Sequence, residues 1–299
     1  MTVLRNYLSL IKFSHTIFAM PFALIGFMLG VRALLQEGDV VQIEWNFYTS
    51  LLLLVVLCMV FARSAAMAFN RYLDRHFDAQ NPRTAIREIP AGIISANSAL
   101  WFTIIMSLCF IATTWFINTI CFALSPVALL VILGYSYTKR FTPLCHFVLG
   151  LGLSLAPIGA YLAVTGTFAV VPILFSLIVL FWVSGFDIIY ALQDEDFDRQ
   201  QGLHSVPAAL GKPKALLVSR LLHVLVVLLL VTVLLYGGFG VLFAAGVGLF
   251  TGLLFYQHRL VTPTDLSKVN LAFFTTNGVA SVLFAVLAIA DMVRTLIQS

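Results

Sequence analysis

Runs of about twenty apolar residues, following one another with few polar gaps, constrain this chain more than any other feature. A helix needs roughly 20 such residues to cross a bilayer core of about 30 Å. Nine candidate spans result, at roughly 13 to 35, 47 to 69, 98 to 117, 119 to 138, 144 to 164, 168 to 190, 214 to 236, 238 to 257 and 270 to 296. In lipid every backbone polar group must be satisfied internally, so the expected fold class is all-α, a polytopic membrane helical bundle of about nine transmembrane helices. Only 10% of the 299 residues are charged, against about 25% in soluble domains, which excludes an ordinary soluble fold. Residues 1–299 are expected to form a single integral membrane domain.

Two longer polar connections, at about 70 to 97 and 187 to 214, interrupt the spans and hold most of the ionisable groups. Threading nine spans with the N-terminus inside places both connections on one side. Of the seventeen Lys and Arg residues, only Arg32 and Arg294 then fall on the other side, and Arg63 sits inside a span. The positive-inside rule therefore puts both loops in the cytoplasm. The N-terminal apolar stretch lacks a clear cleavage site and reads as a retained first span. Cys58, Cys109, Cys121 and Cys145 lie in or beside apolar stretches without CxxC spacing, which argues against zinc or a disulfide framework. No nucleic-acid partner is expected of a chain with this composition, and its oligomeric state is not readable.

The first loop opens with Asn70, Asp74 and Asp78 at i, i+4 and i+8, one face of a helix. Like charges at that spacing repel, so something positive must compensate. Arg71, Arg75, Arg83 and Arg87 could do so as simple ion pairs at a wet helix end. The second loop tips the balance, because Asp187, Asp194, Glu195, Asp196 and Asp198 crowd into twelve residues with Arg199 beside them. Asp74 and Asp78 recur as Asp194 and Asp198 at an offset of 120, a hint of duplicated halves. Two opposed sets of carboxylates are hard oxygen ligands suited to magnesium. Magnesium prefers one or two carboxylates together with phosphate oxygens, so a phosphorylated substrate is implied between the sets.

Nearby basic residues then acquire a use. Arg83, Lys139, Arg140 and Lys212 are placed to contact the same phosphates, or alternatively to anchor helices at the interface. Lys139 follows Tyr135 by four residues, which puts phenol and ammonium on one helical face. Arg63 lies seven positions before Asn70 and so points the same way, deeper in the bilayer. A buried arginine needs a partner, and Asp187 or the carboxylate of a substrate would serve. His76 and His223 read as packed side chains, whereas His204 could touch phosphate.

At these residues the chain resembles the UbiA superfamily of intramembrane aromatic prenyltransferases. The family pattern N-D-x-x-D-x-x-x-D, R-T-x-x-R-x-x-P-x-G, Y-x-x-x-K and D-x-x-x-D reads here as Asn70, Asp74 and Asp78; Arg83, Thr84, Arg87, Pro90 and Gly92; Tyr135 and Lys139; and Asp194 and Asp198. Arg71 departs from it, standing where many members carry an aspartate. The stretches His15 to Pro21 and Gly202 to Pro207 look most like a bacterial quinone-biosynthesis branch, some of whose members act on a naphthoate in the futalosine route to menaquinone.

The resemblance implies magnesium-dependent transfer of a polyprenyl group from polyprenyl diphosphate to the ring of a hydroxylated aromatic acid such as 4-hydroxybenzoate, with 1,4-dihydroxy-6-naphthoate as the alternative. Asp74, Asp78, Asp194 and Asp198 would hold the metal, and Asn70, Arg83, Tyr135, Lys139 and Arg140 the diphosphate. Lys139 would also assist the leaving group, Asp187 would draw off the phenolic proton and Arg63 would orient the acceptor's carboxylate. Two rivals of other classes remain: a secondary transporter with acidic coupling sites, and a CDP-alcohol phosphotransferase. Against the first, the acids gather at helix ends rather than at the bilayer centre. The D-x-x-D-G-x-x-A-R signature of the second is absent.

Overall fold

A computed structural model describes residues 2–11, 19–37 and 44–298. All regular structure among them is helical. A short helix α1 (Thr2–Leu10) precedes α2 (Met20–Glu37), α3 (Trp45–Gln80), α4 (Ala96–Trp115), α5 (Thr119–Thr138), α6 (Cys145–Thr165) and α7 (Val170–Ala191). A 3-10 turn (Leu192–Asp194) and two short helices, α8 (Glu195–Gln200) and α9 (Val206–Leu210), lead into α10 (Lys212–Tyr236) and α11 (Val241–Leu260). A π-helical turn (Leu271–Thr276) then opens α12 (Asn277–Gln298). Eight helices among the described residues are long and apolar enough to span a bilayer, which makes this an integral, multi-pass membrane protein. The expected first span is represented by the shorter apolar stretch Met20–Gln36, and its start, with His15, lies outside the described residues.

The termini of these helices follow from local chemistry. Ser95, Asn118 and Ser205 each turn a side-chain oxygen onto a backbone N–H three residues on, satisfying a donor that the first turn leaves orphaned. Gly166 closes α6 at φ +67°, a conformation that a Cβ disfavours. Pro126 deprives the Phe122 carbonyl of its usual partner inside α5, and the Ser125 hydroxyl donates to that carbonyl at 2.8 Å instead.

The core is aromatic. Phe22 of α2, Phe175 and Trp182 of α7, Phe243 and Phe250 of α11 and Phe284 of α12 are fully buried against one another. Small residues let backbones close in around it, as between α2 and α6, where a Cβ on Gly26 would sit 2.0 Å from the Pro157 carbonyl oxygen. The π-helical turn leaves carbonyls without their i+4 donors. The side-chain amide of Gln257 supplies one to Ala272, and that of Asn277 bonds both Ala272 and Phe273. Trp182 Nε1 in turn donates to Asn277 Oδ1 at 3.1 Å, which ties the turn to α7.

Candidate active site

The two polar loops meet at one end of the bundle, around a cavity of about 700 Å³. Eleven of the residues singled out in the sequence line it: Arg63, Asn70, Asp74 and Asp78 from α3; Arg83 from the following loop; Tyr135 from α5 with Lys139 and Arg140 just after it; Asp187 from α7; Asp194 from the 3-10 turn; and Asp198 from α8. A second cavity of about 330 Å³ runs between α3, α4, α5 and α6 with almost wholly apolar walls. Arg63, Tyr135, Leu149 and Leu153 belong to both walls, so the two spaces adjoin where the polar residues end.

Asp74, Asp78, Asp194 and Asp198 are each matched by a lysine or arginine. Arg83 forks onto Asp194, with Nε 3.1 Å from Oδ1 and Nη2 2.5 Å from Oδ2, and Asn81 donates to the same Oδ1 at 3.2 Å. Lys139 Nζ lies 2.7 Å from Asp198 Oδ1, while Ser205 Oγ donates to Oδ2 at 2.9 Å. Arg87 Nη1 reaches Asp78 Oδ1 at 2.6 Å and Arg71 stands 3.9 Å from Oδ2. Asp74 is the loosest: the Asn70 amide donates to it at 3.0 Å, and Arg140 Nη2, which donates to the Leu73 carbonyl, forms only a long ion pair with it at 3.8 Å. Burial alone would weaken the Lys139 ammonium, but Asp198 overcomes it and lifts its pKa above the ordinary lysine value.

The donor set suits magnesium. Carboxylate oxygens from Asp74, Asp194 and Asp198 are hard ligands, and cysteine contributes only Cys145 at the cavity edge. Among the described residues no three His, Cys, Asp or Glu side chains lie close enough to cage an ion alone. That fits an ion that completes its octahedron with water and phosphate oxygens.

Several expectations need correction. Arg63 is not paired with Asp187: among the described residues no carboxylate is within ion-pair distance of its guanidinium, and its Nε is buried without a partner. Asp187 instead meets His146, whose Nδ1 is 2.7 Å from Oδ2. Equal depth on two helices does not fix lateral direction, and α6 comes between. The second acid set does not ride one regular helix, because the 3-10 turn at Leu192–Asp194 interrupts it. Lys212 faces Glu195 at 3.8 Å rather than the cavity, Arg199 takes the other Glu195 oxygen, and His204 is exposed and off the cavity wall.

Sequence reasoning also missed part of the wall. Tyr190 accepts a hydrogen bond from Arg83 Nη1 at 3.1 Å and stacks with Phe273 at 4.2 Å between centroids, with Phe186 and Phe274 alongside. Tyr190 lies three residues after Asp187 and four before Asp194, a helical spacing that could have revealed it. His146 and Asn81 carry no such local signal.

Known proteins resemble this chain over most of its length. A 4-hydroxybenzoate octaprenyltransferase of Tolumonas auensis is 34% identical over 248 residues, covering 81% of this chain and 84% of the relative. One of Aeromonas salmonicida is 31% identical, covering 78% and 80%. The apo structure of a UbiA homolog from Aeropyrum pernix superposes with a TM-score of 0.77 at 28% identity, covering 94% of this chain and 98% of that one. A UbiA homolog from Archaeoglobus fulgidus, solved with DMAPP and Mg2+, shares the fold at a TM-score of 0.71 and 22% identity, covering 96% and 99%. The UbiA prenyltransferase family matches residues 18–279, and the chain belongs to that family.

Proposed function

We propose that this chain is a magnesium-dependent prenyltransferase that moves a polyprenyl group from polyprenyl diphosphate to the ring of a hydroxylated aromatic acid. The observation that carries this reading is the adjoining pair of cavities: acids and cations line one, apolar side chains line the other, and Arg63 and Tyr135 stand at the join. A prenyl diphosphate has the same division between a charged head and an apolar tail.

Asp74, Asp194 and Asp198, with Asn70 and Asp78, are the residues that would hold the ion. Magnesium, when bound, supplies neutralisation of the charge that builds on the diphosphate as the allylic carbon–oxygen bond breaks. Arg83, Lys139 and Arg140, which pair here with Asp194, Asp198 and Asp74, are the cations that would contact the diphosphate oxygens once those carboxylates held the ion. Phe186, Tyr190, Phe273 and Phe274 exclude water and offer π faces to the allylic cation.

Arg63 has the unsatisfied buried Nε expected of a group awaiting an anionic partner, and the acceptor's carboxylate fills that role. Asp187 accepts the acceptor's phenolic proton, the ring carbon ortho to that oxygen bonds to the prenyl carbon as the carbon–oxygen bond to diphosphate breaks, the ring proton passes to the departing diphosphate, and Asp187 returns its proton to the oxygen to restore the phenol. The names of the curated relatives favour 4-hydroxybenzoate, in ubiquinone or menaquinone synthesis, and 1,4-dihydroxy-6-naphthoate is the alternative acceptor. The whole chain acts as one domain in the bacterial cytoplasmic membrane with the acidic cavity facing the cytoplasm, a reading supported by its basic loops at that end.

The test is transfer of a radiolabelled prenyl group in membranes supplied with magnesium and both acids. Product formed on one acid and lost on chelation is expected; transfer that persists in excess chelator would reject the reading. Changing Arg63→Met should raise the acceptor's KM far more than the donor's.

A further inference from the structure

His146 stands behind Asp187 on α6, a helix that carries neither acidic cluster. It is almost fully buried, and both ring nitrogens are committed. Nδ1 lies 2.7 Å from Asp187 Oδ2, and the backbone N–H of Val206 donates to Nε2 at 3.3 Å. An N–H can only donate, so Nε2 presents its lone pair and the ring proton resides on Nδ1, aimed at the carboxylate. We propose that His146 is a positioning residue: as the Nδ1–H tautomer it grips one oxygen of the Asp187 carboxylate and leaves the other free to receive the acceptor's hydroxyl proton. The inference rests on the prenyl-transfer reading and deepens it by naming what holds the base.

The surroundings support this role. Asp187 keeps 22% of its side chain exposed toward the cavity while His146 keeps 3%, so one carboxylate oxygen is open and the other is backed by the ring. The charged and titratable groups lining the same cavity include Arg63 and Asp74 from α3, Tyr135 and Lys139 at the end of α5, Cys145 beside His146 on α6, and Tyr190 and Asp194 from α7 and the turn after it. Among the described residues only His146 is in hydrogen-bond contact with Asp187. The ring is fixed from above as well: Ser184 Oγ of α7 donates to the His146 carbonyl at 3.2 Å, and the lack of a Cβ on Gly150 lets α7 approach, since one there would meet Leu180 O at 2.4 Å.

The segment that sets the tautomer also reaches the diphosphate side of the cavity. His204 N–H donates to the Lys139 carbonyl at 2.7 Å, Ser205 Oγ donates to Asp198 Oδ2, and Val206 follows directly. Three consecutive residues thus tie Lys139 and Asp198 to His146 and Asp187, holding base and leaving-group contacts in one register.

The experiment uses the full-length protein in lipid nanodiscs with prenyl diphosphate, magnesium and the acceptor acid that the wild type turns over. His146→Leu should lower kcat/KM for the acceptor about 100-fold while leaving the donor's KM unchanged. Because a hydrogen bond to the charged form is lost, the acid limb of the pH profile should move up by about one unit. His146→Asn places an amide N–H where Nδ1–H lies and should restore most of both. Val206→Pro tests the tautomer without touching the cavity, since Ser205 is already extended and Val206 is the first residue of α9, a position that accepts proline. It should shift the acid limb in the same direction by less. An unshifted limb in His146→Leu, or an Asn variant no better than the Leu variant, would overturn the proposal. A wild type that prenylates no hydroxylated aromatic acid would instead defeat the functional reading beneath it.

Discussion

In α3 the polar residues Asn70, Asp74 and Asp78 ride one unbroken helix that continues to Gln80, whereas the second cluster crosses a change of helix type. There α7 ends at Ala191, a 3-10 turn carries Asp194, and α8 carries Asp198. Each cluster has one partly open acid, Asp74 or Asp194, and one nearly closed off, Asp78 or Asp198. The buried acids differ in what neutralises them. Asp78 faces two arginines, and one of them, Arg71, is a deeply buried member of its own helix. Asp198 faces a single lysine, a point charge on a flexible stem, and a serine hydroxyl. A lysine swings away to a phosphate more readily than two guanidinium groups leave a carboxylate. Similar spacing in sequence therefore conceals different ion pairing, and under the proposed function it would divide the labour: the second cluster would offer both its acids to metal, and the first mainly Asp74.

That asymmetry can be broken in order of expected effect. Asp194→Ala and Asp198→Ala should each lower prenyl transfer about 1000-fold or more, and Asp74→Ala should approach them, because charge stabilisation at the leaving group is lost. Asp78→Asn should act differently, cutting activity only about tenfold but lowering the melting temperature, since breaking a buried pair typically costs about 3–5 kcal/mol. Equal kinetic loss at Asp78 and Asp198, without loss of stability, would erase the distinction. Arg71→Asp restores the acid common elsewhere in the family and frees Asp78 from one cation; the magnesium concentration for half-maximal rate should fall by about threefold. The smallest effect concerns pH. A lysine with a raised folded pKa contributes stability in full below its unfolded value of about 10.4 and loses it only as pH climbs through the higher folded value. Melting temperature between pH 7 and about 9.5 should thus be the same in Lys139→Met as in wild type in its pH dependence, with the two curves converging only above that range.

Much of this was legible beforehand, for identifiable reasons. Spans, polar loops and acid ladders are periodic over a few residues, so composition and helical spacing brought eleven candidate residues to one cavity. What stayed hidden depends on contacts between distant segments. His146 has no ligand-spaced neighbour, and its meaning arises only when α6 packs against α7. Of the two partners weighed for Arg63, Asp187 pairs with His146 instead, because depth along a helix was readable and the facing direction was not. Nor could Leu271 to Thr276 be read as a π-helical turn, since the amides of Gln257 and Asn277 that make it tolerable come from the previous helix and from the residue just beyond.

The central claim, that both acid sets grip one magnesium–diphosphate unit, is tested most directly by calorimetric titration of the purified protein with a non-hydrolysable prenyl thiodiphosphate. Binding should require magnesium and be lost both in Asp74→Ala and in Asp194→Ala. Undiminished binding in chelator, or binding that survives removal of either set, would contradict the account.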